Sequence, residues 1–119
     1  MKRDDFPFHD GWLVNNSRLM DLFPIQQLNA ITVNAITDDA TRVQMLEKKF
    51  SAELETMEGA ALHYTCLQED IPFLQLRSIS NYVGERDKLK WKMKEAIHVL
   101  NDSLVKILSH LSVATLEEL

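Results

Sequence analysis

The feature that most constrains the fold is the alternation of short strand-like runs with longer helical runs after residue 30. The strand-like runs are β-branched or apolar and are bounded by turn-forming residues; they span 30–36, 52–55 and 73–79. A helical pattern follows each of them, beginning at Asp38 or Asp39, at Glu58 or Gly59, and at Asp87. Alternation of this kind predicts an α/β domain, with a layered, mixed or mostly parallel sheet flanked by helices.

The length and the number of strands predict a single domain with an incomplete sheet. The 119 residues suit one domain. Residues 1–29 are expected to form an irregular loop and a short helix at 17–23, and residues 30–119 the alternating region. Three strands are fewer than the roughly five that such sheets usually carry, and parallel strands leave an edge open. We therefore expect that this sheet is part of a larger one or pairs with a partner chain.

Composition and charge argue against several classes of function. The net charge of −5 argues against general binding to nucleic acid, and the lysines at 88, 90, 92 and 94 suit a solvated helix face. The single cysteine, Cys66, allows no internal disulfide and is expected to be a buried thiol. No run of eighteen apolar residues suggests a membrane span, and the first residues do not resemble a secretory signal, so a cytoplasmic location is expected.

Polar residues gather where predicted strands end and helices begin, which is where ligand sites of α/β proteins form. Glu55, Met57 and Glu58 precede the second helix, whereas Arg77 and Asn81 stand at the end of the third strand. The glutamates suit either favourable charge at a helix N-terminus or a carboxylate that accepts two hydroxyls. Met57 is either core filler or a soft contact for a sugar face. Arg77 is expected to pair with a glutamate, and Asn81 is either a turn residue or an amide that reads a base.

The sequence predicts no metal site and no organic cofactor. The four histidines are not at metal-ligand spacing, and one cysteine cannot make a zinc signature. Phosphate-binding, dinucleotide-binding and nucleophile-elbow motifs are absent from the sequence. Ser78 and Ser80 have no evident histidine partner, so a nucleophilic triad is not expected.

Two of these segments resemble a known family. Residues 56–61 (TMEGAA) and 77–81 (RSISN), with the proline-led strand between them, are similar to the C-terminal half of the purine nucleoside phosphorylase and nucleosidase superfamily. Within it, the continuation at 81–87 (NYVGERD) resembles the futalosine hydrolases of the alternative menaquinone pathway. The methylthioadenosine/S-adenosylhomocysteine nucleosidases are similar but carry Asp where this chain has Asn81. The resemblance extends loosely from about residue 6 to residue 108.

The resemblance implies a role for each matching residue. Met57 would pack on the ribose, and Glu58 would bind the ribose hydroxyls. Arg77 would support that region, and Ile36 would contact the base. Asn81 would contact purine N7 and the 6-substituent and assist the departing base, which makes it the expected catalytic residue. An amide donates to both acceptors of a 6-oxopurine without changing its protonation state, so Asn81 favours a hypoxanthine-type base over adenine.

The resemblance also implies hydrolysis of an N-glycosidic bond in a purine nucleoside, without a metal or cofactor. The family's N-terminal half, with the carboxylate that activates water, has no counterpart in this sequence. The chain is therefore expected to represent a C-terminal portion that is not fully active alone, with a missing N-terminal half or a homo-oligomer as its partner. Two alternatives remain open: a non-catalytic module that binds nucleosides or only assembles, and a hydrolase like the methylthioadenosine/S-adenosylhomocysteine nucleosidases.

Overall fold

A two-stranded parallel sheet lies at the centre of the alternating region. The computed structural model describes residues 4–35, 39–85 and 87–113. Strands β1 (Ala30–Thr32) and β2 (Leu54–Thr56) pair in parallel, so that Ala30 faces Leu54 and Thr32 faces Thr56. Helix α1 (Ala40–Phe50) makes the crossover between them. The predicted α/β class and the parallel pairing are confirmed, although both strands are shorter than or displaced from the predicted runs.

Helix α1 begins and ends at residues suited to those positions. The carboxylate of Asp39 accepts a hydrogen bond of 2.9 Å from the Thr41 amide, as an N-cap does, and this agrees with the prediction. Ser51 ends the helix in the left-handed conformation, with a φ angle of 51°. This turn lets the chain return to the sheet at β2 after three residues.

Helix α2 (Gly59–Gln68) follows β2 directly and carries part of the small core. It begins where predicted, with Glu58 at the N-cap position, and Cys66 is buried as expected. Asp70, in the left-handed region with a φ angle of 53°, turns the chain after the helix. The N-terminal segment packs against α2 through the ring of Phe8, whose centroid lies 5.9 Å from that of Tyr64.

The predicted strand at 73–79 is wrong for the described structure. Its backbone is irregular and is not part of the sheet. A strand requires hydrogen bonds along a neighbouring strand, whereas this segment is held by single side chains. Asn15 Nδ2 donates to the Phe73 carbonyl (2.9 Å), and Ser78 Oγ donates to the Ala96 carbonyl (2.7 Å). The apolar character of the segment was correctly identified, but its pairing could not follow from local sequence.

The last helix also departs from the prediction. Asp87 caps only a short 3-10 helix (Lys88–Lys90), and α3 (Met93–Val113) begins after an extended break at Trp91. The apolar spacing in the sequence predicts one buried stripe on this helix, made of Leu89, Met93, Ile97, Leu100, Leu104, Ile107 and Leu111. Leu89 instead lies outside α3 and is 94% exposed. The residues of α3 that turn inward are Ala96 and Ile107, both buried, and Leu100, Ser103 and Leu111, which are half-buried. The predicted stripe is thus confirmed at Leu100, Ile107 and Leu111, whereas Ile97 and Leu104 are exposed.

The structure exposes more surface than a folded protein of its mass usually does. The accessible surface is 9373 Å², compared with about 6,600 Å² expected for a folded monomer of 13.7 kDa. The buried apolar residues among those described are Cys66, Phe73, Ala96 and Ile107. Large apolar side chains of α3 face solvent, namely Met93, Ile97, Val99, Leu104, Val105 and Leu108. In the described part of the chain, no helix has the length and apolarity needed to cross a membrane.

Candidate functional site

Two threonines of the sheet cap the start of α2. Gly59 N–H donates to Thr56 Oγ1 (3.2 Å), and Ala60 N–H donates to Thr32 Oγ1 (2.9 Å). The two hydroxyls are 3.1 Å apart, and Thr56 Oγ1 also donates to the Ile31 carbonyl (3.3 Å). Each hydroxyl has one hydrogen, so Thr56 gives its own to Ile31 and Thr32 gives its own to Thr56. Both hydroxyl hydrogens are thereby used, and two N–H groups that a helix leaves unpaired are satisfied.

The capping by threonines leaves the side chain of Glu58 out of the helix cap. Glu58 occupies the N-cap position, yet its carboxylate makes no capping hydrogen bond, and the residue is exposed. Met57 beside it is 50% exposed. Glu55 lies in β2 and is half-buried, so the two glutamates do not share a helix face. The structure therefore presents a carboxylate and a thioether side by side at the positive end of α2.

Gly59 is the point where the two polar segments approach each other. A Cβ atom built on Gly59 would lie 2.7 Å from Thr56 Oγ1, 3.2 Å from Gln75 Oε1 and 3.4 Å from Arg77 Nη2. The first of these distances is shorter than real Cβ atoms tolerate, so a side chain at this position requires the cap to move. The glycine of the TMEGAA run is thus explained by close packing.

Arg77 reaches this point through Gln75. Its Nη2 and Nε donate to Gln75 Oε1 at 3.0 and 3.3 Å, and Arg77 itself is exposed. Within the described ranges, no ion pair joins Arg77 to Glu58. Direct orientation of Glu58 by Arg77 stays a prediction, whereas the proximity of Arg77 to the residue after Glu58 is a feature of the structure.

His63, on α2, is the last member of the polar cluster at the start of this helix, which comprises Met57, Glu58, His63, Gln75 and Arg77. Its Nδ1 lies 2.6 Å from Gln75 Nε2, and its ring meets that of Phe73 edge to face at 4.7 Å. Burial lowers the pKa of His63 below its ordinary value of 6.5; the Gly59 carbonyl opposes this shift, and the charge of Arg77 adds to it. His63 and Gln75 were not predicted as site residues, because a lone histidine and a lone glutamine carry no motif. Their positions on an inward helix face and beside Arg77 were the available signals.

Asn81 makes only local contacts in the structure. Its Oδ1 accepts from Ser80 Oγ, and its Nδ2 donates to the Tyr82 carbonyl at 3.0 Å. The amide nitrogen carries two hydrogens, so one is left for a further acceptor. Ile36, the predicted base contact, lies outside the described residues. The structure thus brings Met57, Glu58 and Arg77 to the start of α2. Asn81 directly follows the irregular segment at 73–80, which contains Arg77.

A separate open groove of about 330 Å³ lies between the irregular segment at 73–80 and α3. Leu76, Arg77, Ser78 and Ile79 form one wall, and Ala96 is among the α3 residues on the other. Met57 and Glu58 are not part of its lining. The groove is therefore distinct from the polar cluster at the start of α2, although Arg77 borders both.

Comparison with known proteins supports the resemblance found in the sequence. The chain is 33% identical over 79 residues to the futalosine hydrolase of Thermus thermophilus, covering 66% of this chain and 35% of that protein. It is 33% identical over 78 residues to the futalosine hydrolase of Streptomyces coelicolor, covering 65% of this chain and 33% of that protein. Stretches of this length must include the middle of the chain, and with it Met57, Glu58 and Arg77.

The similarity to futalosine hydrolases is thereby confirmed, and it is limited in extent. The chain spans about one third of the length of the curated relatives it matches. No protein family model matches the sequence. No solved structure matches it either, so the nucleoside phosphorylase-like architecture remains a prediction beyond the α/β class.

Proposed function

We propose that this chain is the C-terminal part of a nucleosidase that hydrolyses the N-glycosidic bond of a 6-oxopurine nucleoside such as futalosine. The observation that carries the proposal is the exposed Glu58 carboxylate at the start of α2, left out of the cap by Thr56 and Thr32. It lies in a stretch similar to two futalosine hydrolases. This function places the reaction in menaquinone biosynthesis and in the cytoplasm.

In this proposal Glu58 and Met57 bind the sugar. The two oxygens of the Glu58 carboxylate accept the two ribose hydroxyls, and the thioether of Met57 packs on the sugar face. Arg77, whose Nη2 lies close to Gly59, adds positive charge near the start of α2 and holds the ribose region. Such contacts to a charged acceptor are stronger than neutral hydrogen bonds, and they fix the sugar so that C1′ is presented to water.

The purine leaves with its bonding electrons as the C1′–N9 bond breaks and water oxygen bonds to C1′. Asn81 donates the second hydrogen of its amide to the departing base and stabilises the charge that develops there. The proton that water loses goes to a base on the partner part of the enzyme. Ile36 contacts the purine, which places residues that follow β1 near the base.

The partner in this proposal is the remaining portion of a nucleosidase fold, and the whole assembly is a homo-oligomer. The accessible surface of 9373 Å² and the apolar side chains of α3 in solvent support a large covered interface. The irregular segment at 73–80, whose backbone lies outside the sheet, is the position proposed for a further strand in the assembly. Part of the site, including the water-activating base, would be completed only in this assembly.

The direct test of sugar binding is calorimetric titration of the chain with inosine. Glu58→Gln should weaken binding by about tenfold or more, because hydrogen bonds to a charged group contribute about 1.5–3 kcal/mol. The matched control is Glu69→Gln, which makes the same change of charge at the other end of α2, where the residue is exposed. Equal loss in both variants, or no binding by the unaltered chain, contradicts the proposal.

The test of the base is a change in preference. Asn81→Asp should move relative kcat/KM, or relative affinity for the isolated chain, from inosine towards adenosine. An unchanged ratio would show that Asn81 does not read the purine.

A non-catalytic nucleoside-binding module is the second candidate, and the small extent of the match to the relatives favours it. Free hypoxanthine separates the two functions. We expect slow or no release from futalosine by the chain alone, and release at enzyme-like rates when the unmatched two thirds of the Thermus protein are added. Binding without release in that mixture would favour the module.

A further inference from the structure

The side-chain amide of Gln75 makes four contacts that join three parts of the site. Its Nε2 donates to the Gly59 carbonyl and lies against His63 Nδ1, both at 2.6 Å. Its Oε1 accepts from Nη2 and Nε of Arg77 at 3.0 and 3.3 Å. Both ends of the amide are therefore engaged, one with the start of α2 and the other with the guanidinium.

The partners allow only one orientation of this amide. A carbonyl oxygen can only accept and a guanidinium can only donate, so the Gln75 nitrogen must face Gly59 and its oxygen must face Arg77. The nitrogen then also faces His63 Nδ1, and it donates to that atom when the ring is the neutral tautomer with its hydrogen on Nε2. The lowered pKa of His63, caused mainly by burial, agrees with a neutral ring.

We propose that Gln75 is a positioning residue, whose amide fixes the start of α2, and with it Met57 and Glu58, against Arg77. This inference rests on the proposed function, because it concerns the binding of the same nucleoside. Gly59 directly follows Glu58, and Arg77 Nη2 lies 3.4 Å from where its Cβ would be. The hydrogen bond from Gln75 to the Gly59 carbonyl therefore holds the residue that follows Glu58 close to the guanidinium of Arg77.

Two substitutions of Gln75 in the full chain distinguish a positioning role of its amide from simple filling of space. Gln75→Met keeps the length of the side chain and removes both ends of the amide. Gln75→Glu keeps the acceptor for Arg77 and removes the donor to Gly59 and His63. Gln44→Glu is the matched control, since Gln44 is exposed on α1, away from this cluster.

The first readout is the titration of His63, followed by NMR of its ring C–H signals. In Gln75→Glu a carboxylate faces Nδ1, so the pKa of His63 should rise relative to that in the unaltered chain. Gln44→Glu should leave it unchanged. A side chain that only fills space would not produce this rise. An unchanged His63 titration in Gln75→Glu overturns the inference, whether or not nucleoside binds.

The second readout is the affinity for inosine. Both Gln75 variants should bind about tenfold more weakly than the unaltered chain, by the loss of hydrogen bonds to charged or buried groups. Binding equal to that of the unaltered chain in both variants overturns the inference while the proposed function stands. If the unaltered chain binds no inosine, the proposed function fails, and the His63 titration alone decides whether Gln75 fixes α2 against Arg77. If Gln75→Met does not fold, Gln75→Glu carries both readouts.

Discussion

The start of α2 and the surface of α3 are organised in opposite ways. At the start of α2, the hydroxyls of Thr32 and Thr56 and the amide of Gln75 form connected hydrogen bonds around one glycine. Among the residues of α3 whose burial the structure describes, Ala96 and Ile107 are buried, and six large apolar side chains face solvent. The first region is fixed by contacts within the chain. The second has an apolar surface that such contacts do not cover, which suits a partner.

The largest expected effect is a loss of stability when a buried residue of α3 is shortened, because few buried residues hold this helix. Ile107→Ala should lower the free energy of unfolding by about 2–5 kcal/mol, because it removes buried methyl groups and leaves a cavity. Ile97→Ala makes the same change at a residue that is 53% exposed and should cost far less. Denaturant unfolding followed by circular dichroism measures both. Equal losses would mean that the exposed face of α3 is also packed, which would contradict the contrast drawn between α3 and the start of α2.

The next largest effect tests the close packing at the start of α2. Gly59→Ala places a methyl group 2.7 Å from Thr56 Oγ1, so the cap must move, at a cost of about 1–3 kcal/mol. The control is Ala61→Ser, at an exposed position two residues further along the helix. Thermal unfolding should show a clearly lower Tm for Gly59→Ala only. An unchanged Tm would show that this region is looser than α3.

Two substitutions of Thr56 separate the contribution of its hydroxyl group from the contribution of its packing. Thr56→Val keeps the shape of the side chain but leaves Gly59 N–H without its acceptor, at a cost of about 1–3 kcal/mol. Thr56→Ser keeps the hydroxyl and should retain the hydrogen bonds. Amide hydrogen exchange at Gly59 should accelerate in the valine variant and stay slow in the serine variant. Equal exchange in the two would contradict the role of the cap.

The smallest effect expected is a dependence of stability on pH that comes from His63. Its pKa is lowered in the folded chain, so the unfolded chain takes up the proton first as pH falls below about 6.5. The stability contributed by neutral His63 is therefore present above this pH and is lost as pH falls towards the folded pKa. Comparing the chain with His63→Gln by urea unfolding between pH 8 and 5 should show their stabilities converging. His98→Gln, at an exposed residue, is the control.

Local signals in the sequence predicted several features that the structure contains. The cap at Asp39, the beginning of α2 and the burial of Cys66 depend on residues close in sequence or on their own character. The strand at 73–79 was wrong because a strand is defined by a neighbour, which sequence periodicity does not supply. The stripe predicted for α3 was right at Leu100, Ile107 and Leu111 and wrong at Ile97 and Leu104, because the buried face of a helix depends on the segment that packs against it.

The candidate site divides in the same way. Met57, Glu58 and Arg77 were identified through their motifs, and the structure brings the first two next to the third through Gly59. The capping role of Thr32 and the contact of Gln75 with Gly59 were missed, since these hydrogen bonds join residues 28 and 16 positions apart. Contacts over such distances follow from the pairing of β1 with β2 and from the path of the irregular segment at 73–80, neither of which a single sequence determines.

The alignment of Thr32 with Thr56 in the ladder makes α2 depend on correct strand pairing. If β1 slipped by one residue, Ile31 or Val33 would stand opposite Thr56, and no hydroxyl of β1 would reach the Ala60 amide. A misaligned sheet would therefore lack a properly started α2, and Glu58 would be drawn into the cap or left without a fixed position. The segment that presents the carboxylate is therefore formed correctly only in chains whose strands β1 and β2 pair in the right register.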